Sequence, residues 1–292
     1  MQESLSLWIK GARPRTLPAA IAPVAVGTAC VSVEANATAN WSNAILALIV
    51  SLALQVAVNY ANDYSDGVRG TDDKRVGPLR LVGSGAKTAS AVKRAAFLSF
   101  GVAAIFGLIL ALLTSLWLLV VGVLCILAGW FYTGGKKPYG YFGLGEVFVF
   151  VFFGVVATTG TTFVIVEKLT ATSFTASLVV GALACALLAV NNLRDIDGDT
   201  LARKRTLAVR LGDKKARSFF VSLFVLALLA IFVLALSYPL ALLGLVGLGS
   251  AFTPIKRVRS GALGGELIAV LSMTGRTQIL SAVTLSIGLI LS

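Results

Sequence analysis

Nine apolar runs, each long enough to cross a lipid bilayer, dominate this sequence. They lie at 17–33, 42–62, 94–113, 115–133, 143–166, 173–193, 217–237, 239–255 and 276–292. A transmembrane α-helix needs about 20 residues, and lipid offers the backbone no hydrogen-bond partner outside its own helix. Only 13% of the residues are charged, against about 25% in soluble domains. The sequence therefore predicts an all-α integral membrane protein with about nine transmembrane helices.

The cationic residues predict the orientation of the chain. Of the 25 lysines and arginines, 24 lie in segments 1–16, 63–94, 134–142, 194–217 and 256–276. The intervening segments contain only Lys168. Because cytoplasmic loops are the basic ones, we expect a multi-pass protein of the cytoplasmic membrane with its N-terminus and basic loops in the cytoplasm. The net charge of +12 then reflects topology and contact with membrane lipids, and a nucleic-acid partner is excluded because no soluble basic domain is present.

Acidic residues form two clusters that follow apolar runs on the basic side. The clusters are Asp63, Asp66, Asp72 and Asp73 after the second run, and Asp195, Asp197 and Asp199 after the sixth. Helical spacing places Asn62 and Asp66 on one face, and Asn191, Asp195 and Asp199 on another. Within residues 43–58 of the second run, Gln55 is the only strongly polar residue past Asn43. We expect two helices to direct amides and carboxylates toward the same membrane face.

Carboxylates gathered at the edge of a membrane span predict a metal site. Ionisable groups there are costly and usually functional, and several carboxylates without a cation repel one another. Carboxylate and amide oxygens suit Mg²⁺ or Mn²⁺. The chain contains no histidine, which excludes a histidine-ligated zinc or iron centre. The alternative is that the acids are solvated or paired with neighbouring cations such as Arg203.

Basic loops beside the acids indicate an anionic substrate. The cations there include Arg69, Lys74, Arg75, Arg80, Lys87, Lys136, Lys137, Arg203, Lys204 and Arg205. A metal ringed by lysine and arginine suits a diphosphate, and the absence of a Walker-type loop argues against a nucleotide. In a membrane protein the expected substrate is a polyprenyl diphosphate. A cation transporter is the rival reading, although its acids would be expected near the midplane.

Both clusters resemble the paired motifs of the UbiA superfamily of intramembrane aromatic prenyltransferases, Asn-Asp-x-x-Asp-x-x-x-Asp and Asp-x-x-x-Asp. The matching strings are NDYSD at 62–66 and DIDGD at 195–199. The last aspartate of the first motif comes late, so either Asp72 or Asp73 fills it. The flanking strings resemble the subgroup that prenylates 1,4-dihydroxy-2-naphthoate in menaquinone synthesis. They are ARPRTLPAAIAPV at 12–24, NYANDYSDGVRGTD at 59–72, GPLRLVGSG at 77–85, YTGGKKPYGYFGLGE at 132–146 and LRDIDGDTLARKRTLAVRLG at 193–212.

The resemblance implies one domain, residues 1–292, of nine helices around a central cavity, in pseudo-repeated halves at roughly 1–133 and 134–292. It implies two Mg²⁺ ions, for which Mn²⁺ could substitute. The implied metal ligands are Asn62, Asp63, Asp66, Asp72, Asp195 and Asp199. The implied diphosphate contacts are Asn62, Arg13, Arg15, Arg75, Arg80, Tyr132 and Lys136. Asp66, Asp195, Tyr132 and Lys136 are expected to be catalytic. Glu146 either orients the acceptor, or it caps its helix or pairs with Lys136 or Lys137.

The activity implied by this resemblance is Mg²⁺-dependent transfer of a polyprenyl group from polyprenyl diphosphate to 1,4-dihydroxy-2-naphthoate. The prenyl group replaces the carboxylate, which leaves as CO₂, and the product is demethylmenaquinol or demethylmenaquinone. A dry cavity would protect the allylic cation from water. The same chemistry on 4-hydroxybenzoate, homogentisate, a chlorin or haem is the alternative.

Overall fold

A computed structural model of the chain describes residues 2–34, 38–71 and 79–292, with the backbone alone at residues 2–4. Its helices are α1 (Gln2–Ala12), α2 (Pro18–Cys30), α3 (Ser42–Val68), α4 (Ala89–Leu113), α5 (Trp117–Phe131), α6 (Gly145–Val166), α7 (Ala171–Arg194), α8 (Ile196–Leu201), α9 (Leu207–Ala235), α10 (Gly244–Gly249), α11 (Phe252–Arg259) and α12 (Gly264–Ile290). Short 3₁₀ turns precede α2 and α10. The middle of α6, Phe150–Val156, is π-helical.

The predicted all-α membrane architecture is confirmed. In the described part of the chain, six helices are long and apolar enough to span a bilayer, namely α3, α4, α6, α7, α9 and α12. Two bent pairs, Leu5–Thr16 with Pro18–Val33 (53°) and Pro239–Gly249 with Phe252–Arg259 (47°), could each provide one more span. The apolar helix α5 is shorter, at 15 residues. Each of the nine predicted runs corresponds to one of these units. In each bent pair the piece after the break has a proline in its first turn, Pro18 or Pro254, which accounts for the break.

One predicted boundary on the basic side is wrong. The last span was expected at 276–292, with 262–273 as an interfacial helix or a connection, but α12 begins at Gly264. Its early turns bury Leu267 and Val270 in the main core, and Glu266 accepts a hydrogen bond from the Leu263 amide. By contrast, α9 is kinked at Gly212 (φ 73°, ψ 165°), so its unbroken part begins after that residue, close to the predicted 217. The helix α12 continues beyond its apolar run because one face still packs on protein.

The second acidic cluster is not on one continuous helix. A one-residue break at Asp195 (φ −95°, ψ 6°) separates α7 from α8. The expected single face of Asn191, Asp195 and Asp199 is therefore interrupted. The Asp199 amide still donates to the Asp195 carbonyl at 2.8 Å, so the two acids remain one turn apart.

Small residues let α7 lie at the centre of the bundle. It packs against α2, α9 and α12, and most of its length is buried by protein rather than left to lipid. Where α6 crosses it, a Cβ on Gly154 would lie 2.5 Å from the Gly181 Cα. Such close backbone approach is how membrane helices gain packing energy, since lipid provides no hydrophobic drive between them. This crossing helps to form one wall of a central cavity.

Candidate active site

A cavity of about 820 Å³ lies among α3, α4, α5, α6 and α7. Its polar end is lined by Lys10, Arg13, Arg15, Asn59, Asn62, Arg80, Tyr132, Asn191 and Arg194. Its body is lined by apolar residues, among them Val50, Leu54, Leu110, Leu118, Phe152 and Val156. A charged end joined to an apolar body is complementary to an anionic head with a hydrocarbon tail.

The first acidic cluster lies in the last turns of α3. The Asp66 Oδ1 accepts hydrogen bonds from Lys204 Nζ at 2.9 Å and from the Tyr141 hydroxyl at 2.8 Å. Burial, and then the Asp66 carboxylate, raise the pKa of Tyr141, so the phenol stays protonated and donates. Asn62 Oδ1 accepts from Thr133 Oγ1 at 2.7 Å. Asn62 and Asp66 thus lie at the junction of α3 with two loops.

Asp63 organises a loop beside the cavity. Its two carboxylate oxygens accept hydrogen bonds from the backbone amides of Leu81, at 2.8 Å, and Val82, at 2.9 Å. Charge-assisted bonds of this kind are stronger than neutral ones. They hold the turn that contains Arg80, which lines the cavity.

The second cluster contains a tightly paired carboxylate. Arg194 donates from Nε and Nη2 to the two oxygens of Asp195, both at 2.7 Å. The same Nη2 donates to Asn191 Oδ1 at 2.8 Å. Asp199 Oδ2 accepts from Thr206 Oγ1 at 3.4 Å. Asp197 is exposed.

Lys204 joins the two clusters. While its ammonium group binds Asp66, its backbone amide donates to the Asp199 carbonyl at 2.8 Å. The ends of α3 and α7 therefore meet at one end of the bundle, beside the polar end of the cavity.

Residues 20–262 match the family described as the UbiA prenyltransferase family. The chain belongs to this family. A Mycobacterium tuberculosis protein named 1,4-dihydroxy-2-naphthoate octaprenyltransferase is 49% identical, over 97% of this chain and 96% of that relative. A protein of the same name from Mycobacterium leprae is 45% identical, over 99% and 98%. The solved structure of a UbiA homolog from Archaeoglobus fulgidus bound to GPP and Mg²⁺ shares the fold, with a TM-score of 0.71, 13% identity and coverage of 98% and 99%.

Several diphosphate-contact candidates of this UbiA-family chain line the cavity. They are Arg13, Arg15, Asn62, Arg80 and Tyr132. Lys136 is exposed and lies outside the lining. Two predicted residues, Asp72 and Arg75, lie outside the described residues. Sequence reasoning missed Lys10 and Arg194 as lining cations. Arg194 adjoins the second motif and Lys10 lies three residues before Arg13, so proximity to a motif was the available signal.

The oxygen donors of this UbiA-family site fit Mg²⁺ in chemistry. Among the described residues, no three acidic or thiol side chains are grouped closely enough to enclose an ion. Instead Asp66 and Asp195 are each neutralised by a cationic side chain, Lys204 and Arg194 respectively. Each cation supplies positive charge to its carboxylate in this structure. Asp63 already accepts two backbone hydrogen bonds, so it anchors the loop.

Glu146 is buried beside the cavity but does not line it. Its Oε1 accepts from Asn192 Nδ2 at 2.9 Å, and the structure shows no ion pair between Glu146 and Lys136 or Lys137 within the described residues. A series of rings lines the cavity instead. Ring centroids are 5.6 Å apart for Tyr132 and Tyr139, and 3.9 Å apart for Tyr139 and Phe148. Aromatic faces can stabilise a carbocation or stack on an aromatic substrate.

Proposed function

We propose that this protein transfers a polyprenyl group from polyprenyl diphosphate to 1,4-dihydroxy-2-naphthoate. One observation supports the acceptor most directly: full-length similarity, at 49% and 45% identity, to two proteins named for that reaction. The cavity supports the donor, since its cationic end suits a diphosphate and its apolar body suits an isoprenoid chain. The basic loops favour the cytoplasmic membrane, with the site on the cytoplasmic side.

Asn62, Asp66, Asp195 and Asp199 are proposed to hold Mg²⁺, with Asp72 as a further ligand. Bound there, Mg²⁺ would neutralise the diphosphate and make it a better leaving group. Mg²⁺ bound there would compete with Lys204 and Arg194 for the carboxylates of Asp66 and Asp195, and a cation released in this way would be free to contact the diphosphate.

The side chains at the polar end then bind the leaving group. Arg13, Arg15 and Arg80 would hold the diphosphate oxygens and stabilise negative charge as the allylic C–O bond breaks. The bond electrons leave with the diphosphate. Because the cavity body is apolar, water is kept from the allylic carbon. The tyrosine and phenylalanine rings along the wall stabilise positive charge on it.

The acceptor ring completes the reaction. A new C–C bond forms between the allylic carbon and the ring carbon that bears the carboxylate. The bond to the carboxylate then breaks, its electrons return to the ring, and CO₂ leaves. The products are demethylmenaquinol, CO₂ and diphosphate, and no proton has to be removed.

The proposal is tested with purified protein in detergent, given a polyprenyl diphosphate and one acceptor at a time. We expect prenylation and CO₂ release with 1,4-dihydroxy-2-naphthoate, and neither with 4-hydroxybenzoate or homogentisate. EDTA should abolish the reaction and Mg²⁺ should restore it. If only 4-hydroxybenzoate were prenylated, the proposed acceptor would be wrong and the protein would act on another class of aromatic acceptor.

Alanine substitution tests the acidic sites separately. Asp66→Ala and Asp195→Ala should each lower kcat by about 100-fold or more, because each removes charge complementarity at the diphosphate end. Asp197→Ala is the matched control, since Asp197 belongs to the same motif but is exposed. It should keep activity near that of the wild type. Wild-type rates in both Asp66→Ala and Asp195→Ala would refute the metal-site assignment.

A further inference from the structure

Gln55 is a polar residue deep in the cavity that neither the metal site nor the diphosphate site uses. It lies on α3, lines the cavity and is only 6% exposed. Seven residues separate it from Asn62, which places it about 10 Å deeper along the helix. Burying an amide at that depth costs free energy unless its polar atoms form hydrogen bonds.

The hydrogen-bond network fixes which way the Gln55 amide faces. Thr16 Oγ1 donates to the Arg13 carbonyl at 2.9 Å, so its lone pairs must accept. They accept from Gln55 Nε2 and from Asn59 Nδ2, each at 3.0 Å. Gln55 Nε2 also lies 3.4 Å from Asn59 Oδ1. Turning the amide over would set the Gln55 Oε1 against Asn59 Oδ1, which can only accept, and against Thr16 Oγ1, whose proton is already donated to the Arg13 carbonyl.

This orientation leaves one acceptor for a ligand. No residue in the described ranges donates a hydrogen bond to Gln55 Oε1. A carbonyl oxygen in an apolar cavity calls for a donor, and an isoprenoid chain has none. The aromatic acceptor has two hydroxyl groups. A hydroxyl donor placed below the diphosphate end would bring its ring near the allylic carbon.

We propose that Gln55 binds the aromatic acceptor by accepting a hydrogen bond from one of its ring hydroxyls, and thereby positions the ring for attack. This inference rests on the proposed function. An amide cannot remove a proton, and the reaction does not need it to. The new C–C bond uses ring electrons, and the electrons of the broken C–CO₂ bond replace them. The hydroxyl keeps its proton throughout, so a neutral acceptor of a hydrogen bond is sufficient.

Steady-state kinetics of Gln55→Leu test the proposal. We expect the KM for 1,4-dihydroxy-2-naphthoate to rise about tenfold, the loss typical of one neutral hydrogen bond. The KM for the polyprenyl diphosphate should stay within about twofold. An equal rise in both values would mean that Gln55 only supports the fold and would overturn the proposal. So would an unchanged KM for the naphthoate.

Gln278→Leu is the matched control. Gln278 is another buried membrane glutamine, 1% exposed on α12, and it does not line the cavity. Its replacement should leave the ratio of the two KM values unchanged, so a shift like that of Gln55→Leu would overturn the assignment. Thermal unfolding in detergent checks that both variants are folded. If turnover is too low for kinetics, the affinity for the polyprenyl diphosphate is measured directly by a binding assay.

Acceptor analogues provide a measurement that would not change if Gln55 had only a structural role. The two monomethyl ethers of 1,4-dihydroxy-2-naphthoate each lack one hydroxyl donor. With wild-type protein, kcat/KM should fall about tenfold for one ether, and Gln55→Leu should no longer distinguish that ether from the parent. Equal discrimination by both proteins would overturn the proposal. If wild-type protein does not prenylate the naphthoate at all, the proposed function fails first, so the two failures are distinguishable.

Discussion

Asp66 and Lys204 form an ion pair whose side chains are only 7% and 11% exposed. Removing one partner of a buried pair leaves an uncompensated charge, which costs about 3 kcal/mol or more. We therefore expect Lys204→Met to lower the free energy of unfolding by about 3 kcal/mol in EDTA. If Asp66 binds Mg²⁺, the ion should restore much of that stability. Thermal unfolding in detergent, with EDTA and with Mg²⁺, measures both effects.

Lys214→Met is the control for this prediction, because it makes the same substitution at a lysine that is exposed on α9. It should unfold like the wild type under both conditions. If Mg²⁺ does not change the destabilisation of the Lys204→Met protein, Asp66 does not bind the ion.

At the residue scale, sequence predicted which side chains gather but not what they bind. Spacing and residue type were enough to select Asp66 and Asp195 as candidates, because carboxylates at the end of an apolar run are unusual. Their partners depend on tertiary packing. Lys204 is 138 residues from Asp66, and no local pattern connects them. The sequence likewise did not predict that the Asp63 carboxylate accepts hydrogen bonds from backbone amides of a distant loop.

At the element scale, hydropathy located the helices but not all their ends. Apolar runs mark the length of helix in contact with lipid or core. A helix such as α12 continues beyond its apolar run, where Leu267 packs on protein while the neighbouring Glu266 is exposed. Only the burial of one face reveals that extension. The break at Asp195 and the π-helical segment of α6 likewise depend on packing rather than on local composition.

The crossing of α6 and α7 gives a prediction about elements. A Cβ at position 154 would lie 2.5 Å from the Gly181 Cα, which is backbone and cannot move aside alone. Gly154→Ala should therefore force the helices apart and lower the free energy of unfolding by about 2 kcal/mol. The shifted α6 wall should also slow prenyl transfer. Thermal unfolding and activity are measured on the same preparation.

Gly101→Ala on α4 is the control for this crossing. A Cβ at position 101 meets nothing within 4 Å. Alanine is also the better helix former, so stability should be unchanged or slightly higher. Equal loss of stability in Gly101→Ala and Gly154→Ala would show that the tight crossing is not the cause.

At the scale of the whole molecule, lipid made the architecture predictable. A chain with nine apolar runs has few alternatives to a helical bundle, because every backbone polar group in the membrane must bond within its helix. The cavity was expected only through the family resemblance. Its volume and lining depend on how the helices cross. The sequence shows that glycines such as Gly154 and Gly181 are present, but not that they contact each other.

Topology gives a prediction for the whole molecule. If the basic loops are cytoplasmic, Lys214 and Lys168 lie on opposite sides of the membrane, because α7 spans it between them. Each is exposed, so each can be replaced by cysteine in a protein whose Cys30, Cys125 and Cys185 are changed to alanine. In right-side-out membrane vesicles, an impermeant maleimide should label Lys168→Cys at once. It should label Lys214→Cys only after detergent is added. Labelling of Lys214→Cys in intact vesicles, with Lys168→Cys protected, would invert the orientation and place the diphosphate end of the cavity on the outer face.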